Sequence, residues 1–290
     1  MAVGLVLEGG GTRGAYTSGV LDVLLEEDIL IPSLYGISAG ACNGVSYVAG
    51  QKKRNYNIFY YYIRDERYLS VTSLYKTGSI FGFDFIFGEL FHKLVPLDYD
   101  AFFSSPIRFY AGATDLNTGK AVFFPKEQMD DMLDPVRASS PLPFVSPIVS
   151  CQGRDLLDGG CAMPIPLEQS LVDGNRRNVV VLTRDSTYRK SQRADFPRAV
   201  LRVKYGEYPR FVETMMERGQ VYNNELDLCR VEERLGRAVV VRPSRPLAVS
   251  RYEKDPEHLK AIYEMGIRDG RAKLREIAAL LEKDAAGAGE

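Results

Sequence analysis

The sequence predicts an α/β fold with a mainly parallel central sheet, and three features carry that prediction. Two strand–turn–helix units follow one another at the N-terminus, short apolar runs recur after residue 100, and the last third has helical spacing. Val3–Leu7 is a short apolar run of the kind a buried strand needs, and the glycine-rich residues 8–14 follow it. From Ala15 the apolar Val20, Leu21, Leu24 and Leu25 fall on one helical face. A second strand at 34–37 leads into a helix at 39–49, whose small residues require close packing. Residues 55–62 and 80–94 are crowded with Phe and Tyr. They read either as the wall or lid of an apolar cleft or as aromatic core. Strands are expected at 107–114 and 121–124, joined by the turn-like 115–119, and again at 179–183 and 238–242. One helix is expected at 210–235, with Gly219 as a weak point. Another starts at Asp255-Pro256, where Asp caps and Pro suits the first turn. Its stripe of Leu259, Ile262, Tyr263, Ile267, Leu274, Ile277 and Leu281 predicts a core-facing helix, and residues 285–290 read as a frayed tail.

Composition excludes several function classes. A chain of 290 residues suggests one or two domains, and 45% apolar with 26% charged residues excludes a disordered, collagenous or fibrous protein. With 37 basic and 38 acidic residues the net charge is -1, so no general attraction to nucleic acid or an anionic membrane is expected. Two histidines, His92 and His258, cannot make a three-histidine zinc site. Cys42, Cys151, Cys161 and Cys229 form no C-x-x-C pair, which leaves buried reduced thiols as the expectation. The N-terminus lacks the basic and apolar regions of a signal peptide, and no run approaches the roughly 18–20 apolar residues of a membrane span. The chain reads as a soluble cytoplasmic protein. No repeat or low-complexity linker marks a sharp domain boundary.

Three motifs carry chemistry. Gly36-Ile37-Ser38-Ala39-Gly40 fits the G-x-S-x-G nucleophile elbow, in which a serine sits on a strained strand-to-helix turn between residues that leave room for it. The competing role for Ser38 is a helix cap. Gly9–Gly14 also satisfies G-x-G-x-x-G, but a dinucleotide fold wants an acidic residue at the end of the second strand, which ends instead in Gly36-Ile37-Ser38. Successive backbone N–H groups at a helix start make that loop a better oxyanion hole, with Arg13 as a contact for an oxyanion or phosphate head group. Asp158, before Gly159-Gly160, lies on a tight turn after a short strand and is placed to accept a proton from Ser38. Asp155 is the competing choice.

Along the chain the glycine loop Gly9–Gly14 comes first, the elbow Gly36–Gly40 second and the Asp158-Gly159-Gly160 turn third, and with Ala138-Ser139-Ser140-Pro141-Leu142-Pro143 shortly before that turn these motifs resemble the patatin-like phospholipase family over roughly residues 1–185. The resemblance implies a three-layer α/β/α fold and a Ser–Asp dyad that hydrolyses acyl esters of lipids. By position, Ser38 is then the nucleophile, Asp158 the base, and Gly10, Gly11 and Thr12 the oxyanion region. It implies a catalytic domain at 1–200 and a mainly helical C-terminal extension at 201–290, packed on the same core, as in bacterial members. The expected partners are a lipid or other hydrophobic acyl ester and, transiently, a membrane surface, with no nucleic acid, metal or cofactor. The competing readings are an α/β-hydrolase with a Ser38–Asp158–His258 triad, a nucleotide-binding protein using the glycine loop, and a non-catalytic lipid-binding protein.

Overall fold

The computed structural model describes residues 3–287. β1 (Val3–Leu7) passes through a tight turn at Gly11–Arg13 into α1 (Gly14–Glu26), and β2 (Ser33–Ile37) leads directly to α2 (Ala39–Val48). The aromatic middle forms α3 (Arg54–Tyr62), α4 (Val71–Thr77), a π-helical segment at Phe85–Leu94 and α5 (Tyr99–Ser104). Then come β3 (Arg108–Asp115), β4 (Ala121–Pro125), α6 (Asp134–Ala138), β5 (Val149–Cys151), β6 (Arg154–Asp158), α7 (Leu167–Val172) and β7 (Arg177–Val181). The chain ends with α8 (Arg198–Tyr205), α9 (Pro209–Arg234), β8 (Ala238–Val241) and α10 (Pro256–Gly287).

β3, β2, β1, β7 and β8 lie side by side and parallel, as the strand–helix alternation predicts. The layers follow from the period-2 alternation of the strands. Leu5 and Leu7 point into a core shared with α1, α2, α3 and α10, whereas Val6, Val180 and Val240 point into a second core with α7 and α9. The fold is a three-layer α/β/α sandwich. Phe83, Phe85, Ile86, Phe87 and Phe91 belong to the first core, so the aromatic segment is packed structure.

The other end of the sheet is antiparallel. β4 pairs with β3 from Thr114 back to Tyr110, so it occupies one edge of that strand. The opposite edge is divided. β2 uses it as far as Ile37 opposite Gly112, and from Ala113 onward β6 takes over, with Asp158 opposite Ala113. β5, only three residues long, pairs with β6 and has too short a pattern to be read from sequence.

The last third departs from expectation in two places. α9 runs unbroken through Gly219, where a Cβ would lie 2.3 Å from the Ser191 carbonyl, so close packing rather than weakness explains that glycine. α10 continues to Gly287, past the tail expected from 285, and residues 288–290 lie outside the described ones. α10 crosses α1 at backbone contact. A Cβ on Gly19 would lie 2.1 Å from the Tyr263 carbonyl, and one on Gly266 would lie 2.1 Å from that of Tyr16. Reciprocal hydrogen bonds flank the crossing, Tyr16 to Asp269 at 3.1 Å and Tyr263 to Asp22 at 2.7 Å. Among the described residues no helix is long and apolar enough to cross a membrane.

Gly→Ala inside a helix ordinarily stabilises by roughly 0.5–1 kcal/mol. Gly270→Ala should behave that way, because its Cβ meets only ordinary contacts from 3.4 Å. Gly266→Ala should instead cost about 1–3 kcal/mol, since two backbones must separate. Urea denaturation of the two variants measures the contrast, and equal effects would contradict the crossing.

Candidate active site

Ser38 leaves β2 with φ 53° and ψ −123°, a left-handed backbone that costs a non-glycine residue roughly 1–3 kcal/mol. The turn is held because its neighbours leave no alternative. A Cβ on Gly36 would lie 2.7 Å from the Ala41 nitrogen, and one on Gly40 would lie 2.5 Å from the Leu7 carbonyl. The Ser38 N–H donates to Ser139 Oγ at 2.7 Å, and Ser139 in turn donates to the Gly112 carbonyl. Ser38 therefore makes no side-chain cap for α2; the helix start lies behind it and favours negative charge at that point.

Asp158 reaches the same place from β6. Its side chain accepts from the Gly160 N–H at 2.7 Å, and Thr114 Oγ1 donates to its carbonyl at 2.9 Å. Burial pushes the Asp158 carboxyl above its ordinary value. A hydrogen bond from Ser38, the Gly160 N–H, and the positive fields of Arg218 and Arg251 act in the opposite direction. Asp155, the competing carboxylate, accepts from Tyr208 at 3.0 Å and does not line the cavity around Ser38.

The glycine loop lies across from the elbow. Gly11 has φ +58°. Thr12 differs from the oxyanion role expected of it: its N–H donates to the Arg251 carbonyl at 3.2 Å and its hydroxyl to the Ser250 carbonyl at 3.1 Å. Thr12 thus fastens the loop to the segment before α10, which leaves Gly10 and Gly11 as the loop's candidate donors. Arg13 is buried, 6% exposed, and burial together with Arg184 pushes its guanidinium down to about 10. Glu8, which ends the first strand's line, accepts from the Thr183 N–H at 2.5 Å and from the Tyr222 hydroxyl at 2.8 Å. Its carboxyl is raised by burial.

These groups share a cavity of about 130 Å³, far above the roughly 10–15 Å³ that a single water needs. Ser38, Asp158, Gly10, Gly11 and Arg13 all line it, and Phe81, Phe83, Ile86, Phe87 and Phe91 supply an apolar wall. The aromatic segment is thus both core and cleft wall. Neither histidine lines it. His258 is 63% exposed on the first turn of α10, facing Glu253 at 3.5 Å, and His92 stacks on Tyr99 at the surface. Among the described residues no cluster of three or more His, Cys, Asp or Glu is placed to hold a metal, and all four cysteines are free. Several site residues carry no recognisable sequence signal: Arg218, which donates to the Gly160 carbonyl at 2.6 Å, and Tyr222, Arg184 and Arg251 in the cavity wall. Ser139, beneath the elbow, and Glu8 lie in or beside a motif, although the motif announces no role for them.

Comparison with known proteins places the chain in a family. The model of the family Patatin-like phospholipase matches residues 5–171, and a domain of unknown function (DUF6363) matches residues 208–282. The chain is similar to an uncharacterized Escherichia coli (strain K12) protein, YjjU, with 31% identity over 62% of this chain and 52% of that one. It is similar also to an uncharacterized NTE family protein of Mycobacterium tuberculosis (strain ATCC 25618 / H37Rv), with 30% identity over 57% of this chain and 44% of that one. The chain spans about half the length of the curated relatives it matches. VipD from Legionella pneumophila aligns with a TM-score of 0.45 and 13% identity over 93% of this chain and 66% of that one, a likeness that adds nothing to the assignment. With over half its length inside the first match, the chain belongs to the patatin-like phospholipase family.

The buried Asp158 carboxyl makes a pH prediction. Folded Asp158 holds its proton more tightly than the unfolded group, whose ordinary value is 3.8. Below that value its titration costs the fold nothing, and stability falls as pH rises from there to the raised folded value. Asp158→Asn removes the titration. Its stability relative to the parent should therefore grow across that window and level off above it, as read by denaturation between acidic and neutral pH. A difference that does not vary with pH would rule the shift out.

Proposed function

We propose that this patatin-like chain is a serine acyl hydrolase that cleaves ester bonds of lipids, with Ser38 as nucleophile and Asp158 as its only base. The observation that carries this reading is a serine on a left-handed strand-to-helix turn that lines one cavity with a buried carboxylate whose proton affinity burial raises. Ser38 Oγ attacks the ester carbonyl and its proton passes to Asp158, while the Gly10 and Gly11 N–H groups receive the oxyanion. The tetrahedral adduct collapses, and the alcohol leaves with the proton from Asp158. Water then gives its proton to Asp158 as it attacks the acyl-serine. Collapse returns that proton to Ser38 Oγ and frees the fatty acid.

A free aspartate, ordinarily near 3.9, is a weak base at neutral pH. Burial that raises its proton affinity supports the role, because a general base works best near the operating pH. The triad alternative finds no support in His258, which points to solvent and to Glu253. The same reading takes residues 201–290 as part of the catalytic unit, since Arg218 and Arg251 line the cavity. It assigns Val71 and Tyr75 of α4, 76% and 92% exposed, to transient contact with a membrane surface.

A fluorophosphonate probe should label Ser38 and nothing else when activity is blocked. Asp158→Asn should lower turnover by roughly 10²–10⁴-fold in a folded protein, while His258→Ala and His92→Ala keep most of theirs. Labelling elsewhere, or a folded His258→Ala as inactive as Ser38→Ala, would overturn the assignment. Acyl length tests the apolar wall. Each added methylene is worth up to about 0.8 kcal/mol of burial, close to fourfold in kcat/KM, until the cleft is full. A series of p-nitrophenyl esters should rise and then plateau; a flat series would remove the wall from the substrate's path.

A further inference from the structure

The cavity at Ser38 is lined by two unlike sets of residues. Beside the phenylalanines stand five cations, Arg13, Arg184, Lys190, Arg218 and Arg251, in a chain whose net charge is -1. Lys190 and Arg218 share one carboxylate, Asp195, at 2.8 and 2.6 Å. The other three have no such partner. Arg13 faces Glu8 only at a distance, and its Nε is buried with no hydrogen-bond partner. The guanidinium carbon of Arg184 lies over the Tyr188 ring, 4.3 Å from its centre. Among the described residues the side chains of Arg184 and Arg251 make no ion pair, and both repel Arg13. Buried donors almost always find partners, and Arg184 and Arg251 repel Arg13 while Glu8 and Asp158 act on these guanidinium groups only at a distance. An anion of fitting geometry resolves both costs, and guanidinium forks match phosphate oxygens two at a time.

We propose that Arg13, Arg184 and Arg251 form a subsite for a terminal phosphate on the substrate, so that this protein prefers acyl esters carrying a phosphate monoester. The inference rests on the acyl-hydrolase reading for the site's chemistry, but the subsite can be tested without it. A phosphate monoester brings a charge near −2, which suits three unpaired cations. A choline phosphodiester brings one negative charge and a quaternary ammonium that the same cations repel. A neutral glyceride brings these cations no anion.

Two measurements on the whole chain decide the matter. Decyl phosphate, which has no acyl ester to cleave, should bind by calorimetry, and inorganic phosphate should bind more weakly because it lacks the alkyl chain. Arg184→Gln and Arg251→Gln should each weaken decyl phosphate about tenfold, the loss expected for one charge-assisted hydrogen bond. The exposed Arg275→Gln should not. Equal affinity for inorganic and decyl phosphate would overturn the lipid assignment in favour of a free phosphate ligand. In hydrolysis, kcat/KM should fall in the order 1-decanoylglycerol 3-phosphate, its phosphocholine counterpart, then 1-decanoylglycerol. Arg184→Gln should lower the ratio of the first to the last about tenfold. An unmoved ratio, with circular dichroism showing a folded variant, would overturn the subsite. If decyl phosphate binds through these arginines while none of the three esters is cleaved, the subsite stands and the hydrolase reading falls.

Discussion

The edge of β3 that holds Ile37 opposite Gly112 and Asp158 opposite Ala113 is the constraint from which the site's geometry follows. A parallel sheet delivers its loops to the carboxyl ends of the strands, so Ser38 appears where β2 stops. Something must then occupy the edge of β3 that β2 vacates, or its backbone groups go unpaired. An antiparallel strand, β6, takes that edge, and an antiparallel strand ends where a parallel one ends only by running toward it. Its last residue therefore meets the last residue of β2. One step along β3, about 3.3 Å, separates the two registers. Ser139 ties the junction from below by bonding both the Ser38 N–H and the Gly112 carbonyl. The strained turn at Ser38 is over-determined by sheet pairing rather than by local preference, which is how such backbone persists.

The C-terminal third reaches this junction at several independent points. The segment before α10 holds the Thr12 N–H and hydroxyl through the Arg251 and Ser250 carbonyls, and so fixes the glycine loop from outside. α10 holds α1, the helix that begins at Gly14, through the Gly19–Gly266 crossing. α9 supplies Arg218 to the Gly160 carbonyl and Tyr222 to Glu8. Removing that third would release the loop, the aspartate turn and the buried glutamate together, and it would strip a strand from the sheet edge at β7. The loop's shape therefore depends on residues more than 200 positions away.

What could be read from the sequence divides along the same line. The elbow, the glycine loop and the Asp158 turn are local: each is set by close approach or a special backbone angle within a few residues, and such demands leave glycines in the sequence. The alternation of strands and helices is legible for the same reason, because burial on one face imposes a period. Legibility fails where tertiary packing assigns the role. Thr12 sits in a loop that reads as an anion hole, yet its donors are spent on Ser250 and Arg251, which no local pattern announces. Gly219 reads as a weak point because helix propensity alone judges it, whereas a neighbouring carbonyl demands it. Arg184, Arg218 and Arg251 are ordinary surface-type residues in sequence; only the fold brings them to one cavity. The same holds for β5, whose three residues are paired because β6 needs a neighbour rather than because their own pattern is strong.

On the proposed reading, the charges at the site balance a carboxylate base that has no histidine beside it. Burial alone would keep Asp158 protonated and useless as a base, while free exposure would leave it ionised and too weak. In this fold burial raises its proton affinity, and the Ser38 hydroxyl, the Gly160 N–H, Arg218 and Arg251 each hold the ionised form in reach. Arg218 is itself restrained by Asp195, so the positive field at Asp158 is moderated rather than maximal. Glu8 meets Arg13 under the same low-dielectric conditions, and hydrogen bonds from the Thr183 N–H and the Tyr222 hydroxyl hold its carboxyl in place. Each of these groups costs stability by being buried, and together they set one proton affinity at one oxygen. Concentrating that cost at the end of β2 is what a functional site looks like in a fold that could otherwise fill the same space with apolar side chains.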